Sequence, residues 1–470
     1  MADRLSALDA SFLYVETPTT PMHVGSVAIF ERPRSGFGYR QLLALIEHRL
    51  GYLPRYRQRV LQVPGHLARP VWVDDVDFDL NYHVRRSALP EPGDARQLFE
   101  LVARLMARPL DRERPLWETY FVEGLAAGRV ALVTKAHQSM IDGIGTVDLG
   151  QLILDDTPTR REAGDDIISW TARRPPNRTQ LVLDAVEEAV RRPGEVVDNA
   201  RSAVRDLANA AEKTLTAVGG AATVLRSVLR PPPSGPLNAH VSGGRVFAGV
   251  RTDLDDYRAV RARHGCAVND IIFAVLTGAL RQWLASRGDL LGSEATVRAL
   301  VPLAVLDPDT AEFSPAGLVN NRVEPCLIDL PVGEPSPVLR LQHIAHAMAE
   351  QLDSERSVAA RAMLKVGGFA PATMQALAAR AASPFSGRLF NVLVTNSPGP
   401  QQPLFAGPAR LSEIYPVVPL ARDQALAVGV TSYHGSVYFG LNGDRKALSD
   451  VDVLAGMISE SLEELKGTDW

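Results

Sequence analysis

The sequence predicts a two-lobed α/β protein whose halves are joined by a helical connector, and three features carry this reading. Residues 1–155 alternate short apolar runs with amphipathic stretches. Residues 156–242 lose that alternation and hold a long helical stripe between proline clusters. From residue 243 to residue 470 the alternation returns. At 470 residues, 46% of them hydrophobic, the chain is long enough for two or three cores, since single domains usually run to ~100–200 residues.

In the first segment, Val24–Phe30, Val71–Val73 and the run from Arg129 to Lys135 are β-branched or apolar enough for strands, while Tyr39–Leu50 and Asp94–Met106 repeat apolar residues at helical spacing. A helix is expected after Gly143, through Leu154. Pro158, Pro175 and Pro176 then break the chain, and from Leu181 the pattern turns helical. Between Val197 and Leu229 the apolar residues recur every three or four positions, one amphipathic stripe flanked by Arg201, Arg205, Lys213 and Arg226, with a kink or split at Gly219-Gly220. Such a stripe either packs on the protein's own surface or dips into a lipid interface. Pro231 to Pro236 form a stiff connector. The last segment, 243–470, reads as a helix over Asn269–Arg287 and strands near Ala299–Val305, Arg322–Leu327, Leu389–Thr395, Ala425–Tyr433 and Ser436–Leu441.

A net charge of −4 and the absence of a nucleic-acid motif argue against a DNA or RNA partner. The N-terminal residues lack the charged and apolar blocks of a signal peptide, and no run reaches the ~18 apolar residues of a spanning helix. The expected location is cytoplasmic, with peripheral contact to membranes or lipid droplets as the open alternative. Cys266 and Cys326, far apart in sequence, make no disulfide framework or metal pair, and both read as core residues. His23 and His434 have no spacing that supports metal ligation, so no metal is expected.

Chemistry is concentrated in residues 137–143, His-Gln-Ser-Met-Ile-Asp-Gly, placed at the end of an apolar strand. Acyl transfer to an alcohol needs a base for the hydroxyl proton as oxygen attacks the thioester carbonyl, and a histidine suits because its pKa lies near neutrality. The segment resembles the His-His-x-x-x-Asp-Gly signature of acyl-CoA-dependent acyltransferases. The whole chain resembles the bacterial wax ester synthase/diacylglycerol acyltransferase family: Leu5-Ser6-Ala7-Leu8-Asp9, Pro21 to Gly25, Pro109-Leu110-Asp111-Arg112, Pro115-Leu116-Trp117-Glu118, Val268-Asn269-Asp270, Val301-Pro302-Leu303, Asn321-Arg322 and Asn396-Ser397-Pro398-Gly399-Pro400 follow in the family's order.

The resemblance implies two chloramphenicol-acetyltransferase-like α/β subdomains with the active site in a tunnel between them, acyl-CoA as co-substrate, no cofactor, and diacylglycerol or a fatty alcohol as acceptor. In the family the second histidine of the signature is the base and the aspartate orients the loop. Here those positions are Gln138 and Asp142, with His137 and Gly143 completing the motif. An amide hydrogen-bonds a hydroxyl but takes no proton at pH 7. In an extended segment residues 137 and 138 point to opposite faces, so His137 inherits the base's seat only if a twist or bulge re-aims it.

After Val301-Pro302-Leu303 the chain has Leu306 where relatives tend to arginine, which leaves Arg322 as a partner for Asp142 by elimination alone. Asn269 and Asp270 either cap a helix or face substrate. Asn396, Pro398 and Gly399 form a turn that borders the tunnel and offers backbone donors to the acyl carbonyl. Trp117, with Pro115 and Leu116, reads as packing. Three readings stay open: an O-acyltransferase making triacylglycerol or wax ester, with His137, Gln138 and Asp142 in the site; an impaired member that binds acyl-CoA or lipid; and an acyltransferase for a different acceptor.

Overall fold

A strand buried on both faces organises the first lobe of the computed structural model, which describes residues 3–34, 36–140, 153–158, 170–191, 235–289, 291–306, 321–353 and 389–468. All eight residues of this strand, β7 (Val130–His137), are buried, as expected of a near-continuous apolar run in the middle of a sheet. Antiparallel neighbours flank it on both sides: β2 (His23–Glu31) and β6 (Trp117–Glu123). β5 (Val84–Ala88) extends the sheet parallel to β6.

The other edge is supplied from far along the chain. β13 (Ala409–Val417) pairs antiparallel with β2, and β12 (Phe405–Ala406) closes that side, giving the order β12-β13-β2-β7-β6-β5. A small sheet of β1 (Asp3–Arg4), β4 (Val71–Asp74) and β3 (Gln58–Leu61) lies apart from it in strand order. The second lobe is built on β10 (Asn321–Leu330), β9 (Val297–Leu306), β11 (Val392–Pro398), β14 (Leu426–Tyr433), β15 (Ser436–Asp444) and β8 (Arg245–Asp253), in that spatial order. Only β11 runs parallel to its neighbours.

The helices follow local rules. α1 (Ala7–Val15) starts at Ser6, whose hydroxyl oxygen accepts the Asp9 N–H. α2 spans Tyr39–Leu50 and α3 is a single turn, Leu80–His83. α4 (Ala95–Ala107) opens with a capping box in which Asp94 and Gln97 satisfy each other's backbone N–H, and it buries Leu98, Leu101, Val102 and Leu105 along one stripe. α5 (Arg178–Arg191) seats Leu181 and Ala185 against Val63, Val71 and Val73. In the second lobe α6 (Leu254–His264) ends in left-handed Gly265. α7 (Val268–Ser286), apolar nearly all round, is covered by α8 (Pro337–Asp353) and α9 (Val451–Lys466).

The sequence reading located most of these elements and differs in three places. The Asn396-Ser397-Pro398 turn is instead the end of β11: these residues pair in parallel with Val430, Thr431 and Ser432, and the chain turns only from Gly399. A proline at a strand end forfeits no interior ladder bond, so its presence was a poor stop signal. Cys326 is buried, but Cys266 is half-buried and lines a cavity of about 250 Å³ with His264, Asp270 and Leu341. The membership of β13 in the first sheet was not foreseen. The stripe at 197–229, Asp142, Gly143 and the helix expected after Gly143 lie outside the described residues, apart from Ile153, which is helical.

The lobes meet where three glycines line up. Gly429, Gly440 and Gly249 are register partners across β14, β15 and β8. A Cβ on Gly440 would sit 1.9 Å from the Pro416 carbonyl oxygen, and one on Gly249 would sit 2.6 Å from the Phe99 ring and 2.7 Å from that of Tyr415. Phe99 of α4 packs edge-on to Phe247 and Tyr415, and Tyr415 to Tyr438. Gly440→Ala is expected to cost about 3 kcal/mol, the upper end of overpacking in a filled core. Gly456→Ala, on an exposed face of α9 where a Cβ meets nothing within 4 Å, should instead stabilise by about 0.5–1 kcal/mol. Thermal unfolding of the two variants checks both signs.

Candidate active site

The motif at 137–140 is held by its backbone before any side chain is considered. His137, the last residue of β7, donates its N–H to the Leu116 carbonyl at 2.9 Å, and Gln138 donates to the Met22 carbonyl at 2.8 Å. Leu116 precedes β6 and Met22 precedes β2, so both neighbouring strands fix the end of β7. Pro115, Leu116 and Trp117 are buried. Trp117 stacks on His83 at 4.6 Å and donates its indole N–H to the Tyr56 carbonyl at 2.7 Å, which makes it packing, as the sequence suggested.

After His137 the chain leaves the strand and enters a 3₁₀ turn, Gln138–Met140. Ser139 thereby comes back over His137. Its backbone N–H lies 3.1 Å and its Oγ 2.7 Å from His137 Nδ1. A nitrogen that accepts the Ser139 N–H carries no proton of its own, so the neutral ring is the Nε2–H tautomer. That Nε2 faces Glu16 Oε2 at 3.7 Å. His137 is 1% exposed, and burial holds its pKa down at about 4, with Glu16 opposing and Arg112 adding to the depression.

Glu16 immediately follows α1. Arg112 donates its Nε–H to Glu16 Oε2 at 3.1 Å, with a shorter contact from Nη2, and also reaches the Leu13 carbonyl. The Met22 N–H occupies Oε1 at 3.2 Å. A second imidazole flanks the same carboxylate: His23 is the register partner of His137, and its Nε2 is 3.7 Å from Glu16 Oε1. Its Nδ1 is 3.4 Å from the Met106 carbonyl, an acceptor only, so the proton of the neutral ring sits on Nδ1. Burial, then Lys135 and His137, push its pKa well down. Lys135, also buried and lowered to about 8 by desolvation, donates to the carbonyls of Leu105 and Arg108 at the end of α4.

Gln138 is only half-buried, and no side-chain hydrogen bond to a described residue engages its amide. The strand end therefore buries the imidazole fully and the neutral amide only in part. His137 Nδ1 is thus engaged by the Ser139 N–H, and the 3₁₀ turn begins at the residue after it. Sequence reasoning missed Glu16 and Ser139. The first sits between two family motifs, and the second occupies a variable position of the signature.

The other expected residues form a separate junction. The Asn396 amide donates to Asn269 Oδ1 at 2.7 Å, joining the end of β11 to the start of α7. Asp270 accepts the Ala267 N–H at 2.9 Å, the capping role, and burial raises its pKa. The Gly399 N–H points at Ser432 Oγ, 3.3 Å away, which leaves it no free donor for an acyl oxygen. Arg322 lies in β10 opposite Val305. Among the described residues no group of three or more His, Cys, Asp or Glu is arranged to hold a metal.

Comparison with known proteins places this architecture. The model of the wax ester synthase/diacylglycerol acyltransferase catalytic domain matches residues 5–272, and that of the WS/DGAT C-terminal domain matches residues 319–466. Two probable diacylglycerol O-acyltransferases of Mycobacterium tuberculosis are similar: tgs3, 49% identical over 57% of this chain and 98% of its own length, and tgs2, 33% identical over 99% of both. The solved wax ester synthase/diacylglycerol acyltransferase of Marinobacter aquaeolei VT8 superposes with a TM-score of 0.67 at 27% identity, covering 98% of each chain. The fold is that of the two-subdomain, chloramphenicol-acetyltransferase-like acyltransferases.

Buried neutral histidines make the fold acid-sensitive. His137 binds a proton only near pH 4 when folded but near its ordinary 6.5 when unfolded. Its contribution is therefore complete above about pH 6.5 and is lost as pH falls from there toward 4, by up to about 3 kcal/mol. His23 and His83, both lowered first by burial, act in the same sense. The melting temperature should fall between pH 7 and pH 5, and His137→Asn, which offers Ser139 an oxygen in place of Nδ1, should flatten that slope.

Proposed function

Because the chain belongs to the wax ester synthase/diacylglycerol acyltransferase family, we propose that it transfers a long acyl chain from acyl-CoA to the free hydroxyl of diacylglycerol, or of a long-chain alcohol. The observation that carries this is the start of the family signature, His137–Met140, standing at the end of the central strand, with half-buried Gln138 where the family has its base. The reaction would take place in a tunnel between the two lobes, with acyl-CoA and the acceptor entering from different sides.

On this reading Gln138 binds and orients the acceptor hydroxyl without removing its proton. The backbone bonds from His137 to Leu116 and from Gln138 to Met22 hold that amide in place. Asp142 and Gly143 would shape the loop that follows. Loss of a positioned base costs about 10²- to 10⁴-fold in rate. The same geometry therefore accommodates a slow transferase and a member that binds acyl-CoA with little turnover.

Acceptors of this kind reside in lipid, and peripheral contact with a membrane or droplet belongs to the same proposal. Leu183 and Val186 stand 61% and 50% exposed on one face of α5, just ahead of the apolar stripe in the sequence, and no described helix is long and apolar enough to cross a membrane. Retention by phosphatidylcholine/phosphatidylglycerol vesicles should weaken in Leu183→Ser/Val186→Ser. Undiminished retention removes this face from the contact.

Thiol release from palmitoyl-CoA, with diacylglycerol or hexadecanol present and the lipid product weighed by mass spectrometry, tests the activity. Gln138→His should raise the rate about 100-fold or more, the lower end of what a positioned base contributes. A chain that releases no thiol with either acceptor, as wild type and as Gln138→His, is not an acyltransferase of this class.

A further inference from the structure

Arg245 opens β8 in the second lobe, is 3% exposed, and reaches the first lobe with its guanidinium. Nη1 donates to the carbonyls of Ser242 and Gly244 at 2.7 and 3.0 Å, and Nη2 donates to the carbonyl of Thr19. Asp444, its register partner on β15, stands 3.9 Å from Nη1. That buried carboxylate already accepts the N–H and hydroxyl of Ser242 and the N–H groups of Lys446 and Ala447. Asp444 therefore fills its lone pairs without Arg245, while burying the guanidinium carries a desolvation cost that an apolar residue would escape. What the guanidinium adds is a planar fork of donors that bonds carbonyls of both lobes at once, which neither an apolar side chain nor a lysine supplies.

Thr19 lies in a tight turn that leads to the motif. Pro18 and Pro21 stiffen it. Thr17 and Thr20 close it: their hydroxyls are 2.6 Å apart, the Thr20 N–H lies 3.1 Å from both the hydroxyl and the carbonyl of Thr17, and a β-bridge joins the two residues. Two residues further on, the Met22 carbonyl receives the Gln138 N–H at 2.8 Å. A turn cross-linked in this way moves as a unit, so a shift at Thr19 is passed to Met22 and from there to Gln138. The charge of Arg245 also reaches His23, next to Met22, as a small addition to a pKa that burial holds down.

We propose that Arg245 is a positioning residue for acyl transfer: through the turn closed by Thr17 and Thr20, and through Met22, it sets where Gln138 stands relative to the second lobe. The inference rests on the acyltransferase reading above, in which Gln138 orients the acceptor hydroxyl and the acyl chain meets it between the lobes. Arg245 acts through the turn, not on substrate. A misplacement of about 1 Å costs up to about 100-fold in rate, so a tie across the lobe boundary weighs as much as a contact to the reacting groups.

Hydrogen exchange and a double-mutant cycle on the full chain test this. In Arg245→Met the Gln138 N–H should exchange about tenfold faster or more while the buried amides of α7 keep their wild-type rates, whereas damage to the whole fold would speed both. Palmitoyl-CoA and diacylglycerol supply the kinetic arm. Gln138→His should gain about 100-fold with Arg245 present and at most about tenfold in Arg245→Met, because a misplaced base contributes little. If Arg245→Met does not fold, Thr17→Val takes its place: it removes the hydroxyl that closes the turn, leaves Arg245 untouched, and should give the same two changes. Unchanged exchange at Gln138 in the folded variant overturns the proposal, and so does the full gain from Gln138→His in that background. No thiol release from wild type or from Gln138→His ends the acyltransferase reading and the catalytic role of Arg245 with it, while faster exchange at Gln138 would still establish the tie itself.

Discussion

The close approach of β13 to a row of glycines sets the geometry on which everything else depends. β13 stands between the short edge strand β12 and β2 in the first sheet and lies against the second, where the Pro416 carbonyl occupies space that any side chain at Gly440 would claim. Backbone meets backbone there because three register-paired positions on three strands lack a Cβ. Aromatic rings fill the rest of the seam, and Arg245 of β8 reaches across to the Thr19 carbonyl, three residues beyond Glu16. A filled core deforms little, so the lobe carrying the motif is fixed against its partner within narrow limits.

Within that frame, segments far apart in sequence converge on one carboxylate. Ser6 starts the helix that delivers Glu16, Arg112 holds it, and Met22 and His23 line it from β2. Leu116 pins the backbone of the residue that faces it. These residues come from four short motifs, Met22 and His23 sharing one, and none of those motifs is informative alone. Together they bury an imidazole beside a carboxylate at the end of a central strand.

What was legible in the sequence follows the range of the interactions involved. α2, α4, α7, β14 and β15 announce themselves through periodicity and local capping, so their boundaries fall within a residue or a few of the expected ones. The family motif placed His137 at a strand end. Whether its lone pair was free depended on a 3₁₀ turn that brings Ser139 back by two residues, and no hydrophobic period encodes such a turn. Glu16 was invisible for another reason: a carboxylate just after a helix is ordinary until Arg112, 96 residues away, and two imidazoles are brought to it. The pairing of β13 with β2 is beyond local reading altogether, because hydrogen bonds between strands leave no trace in the composition of either.

That pairing also orders events in time. The Ser412 hydroxyl bonds the Ile29 carbonyl across 383 residues. A ribosome working at ~5–20 residues per second needs roughly 20 to 80 seconds to supply the missing strand after its partner has emerged. Throughout that interval one edge of β2 has no native neighbour, and an uncovered edge is a template for any other extended chain. Crowded polysomes would present many such edges side by side. The nascent first lobe is thus a natural client for a chaperone that shields β-strand edges, and slow codons placed between the lobes would lengthen its exposure rather than help it fold.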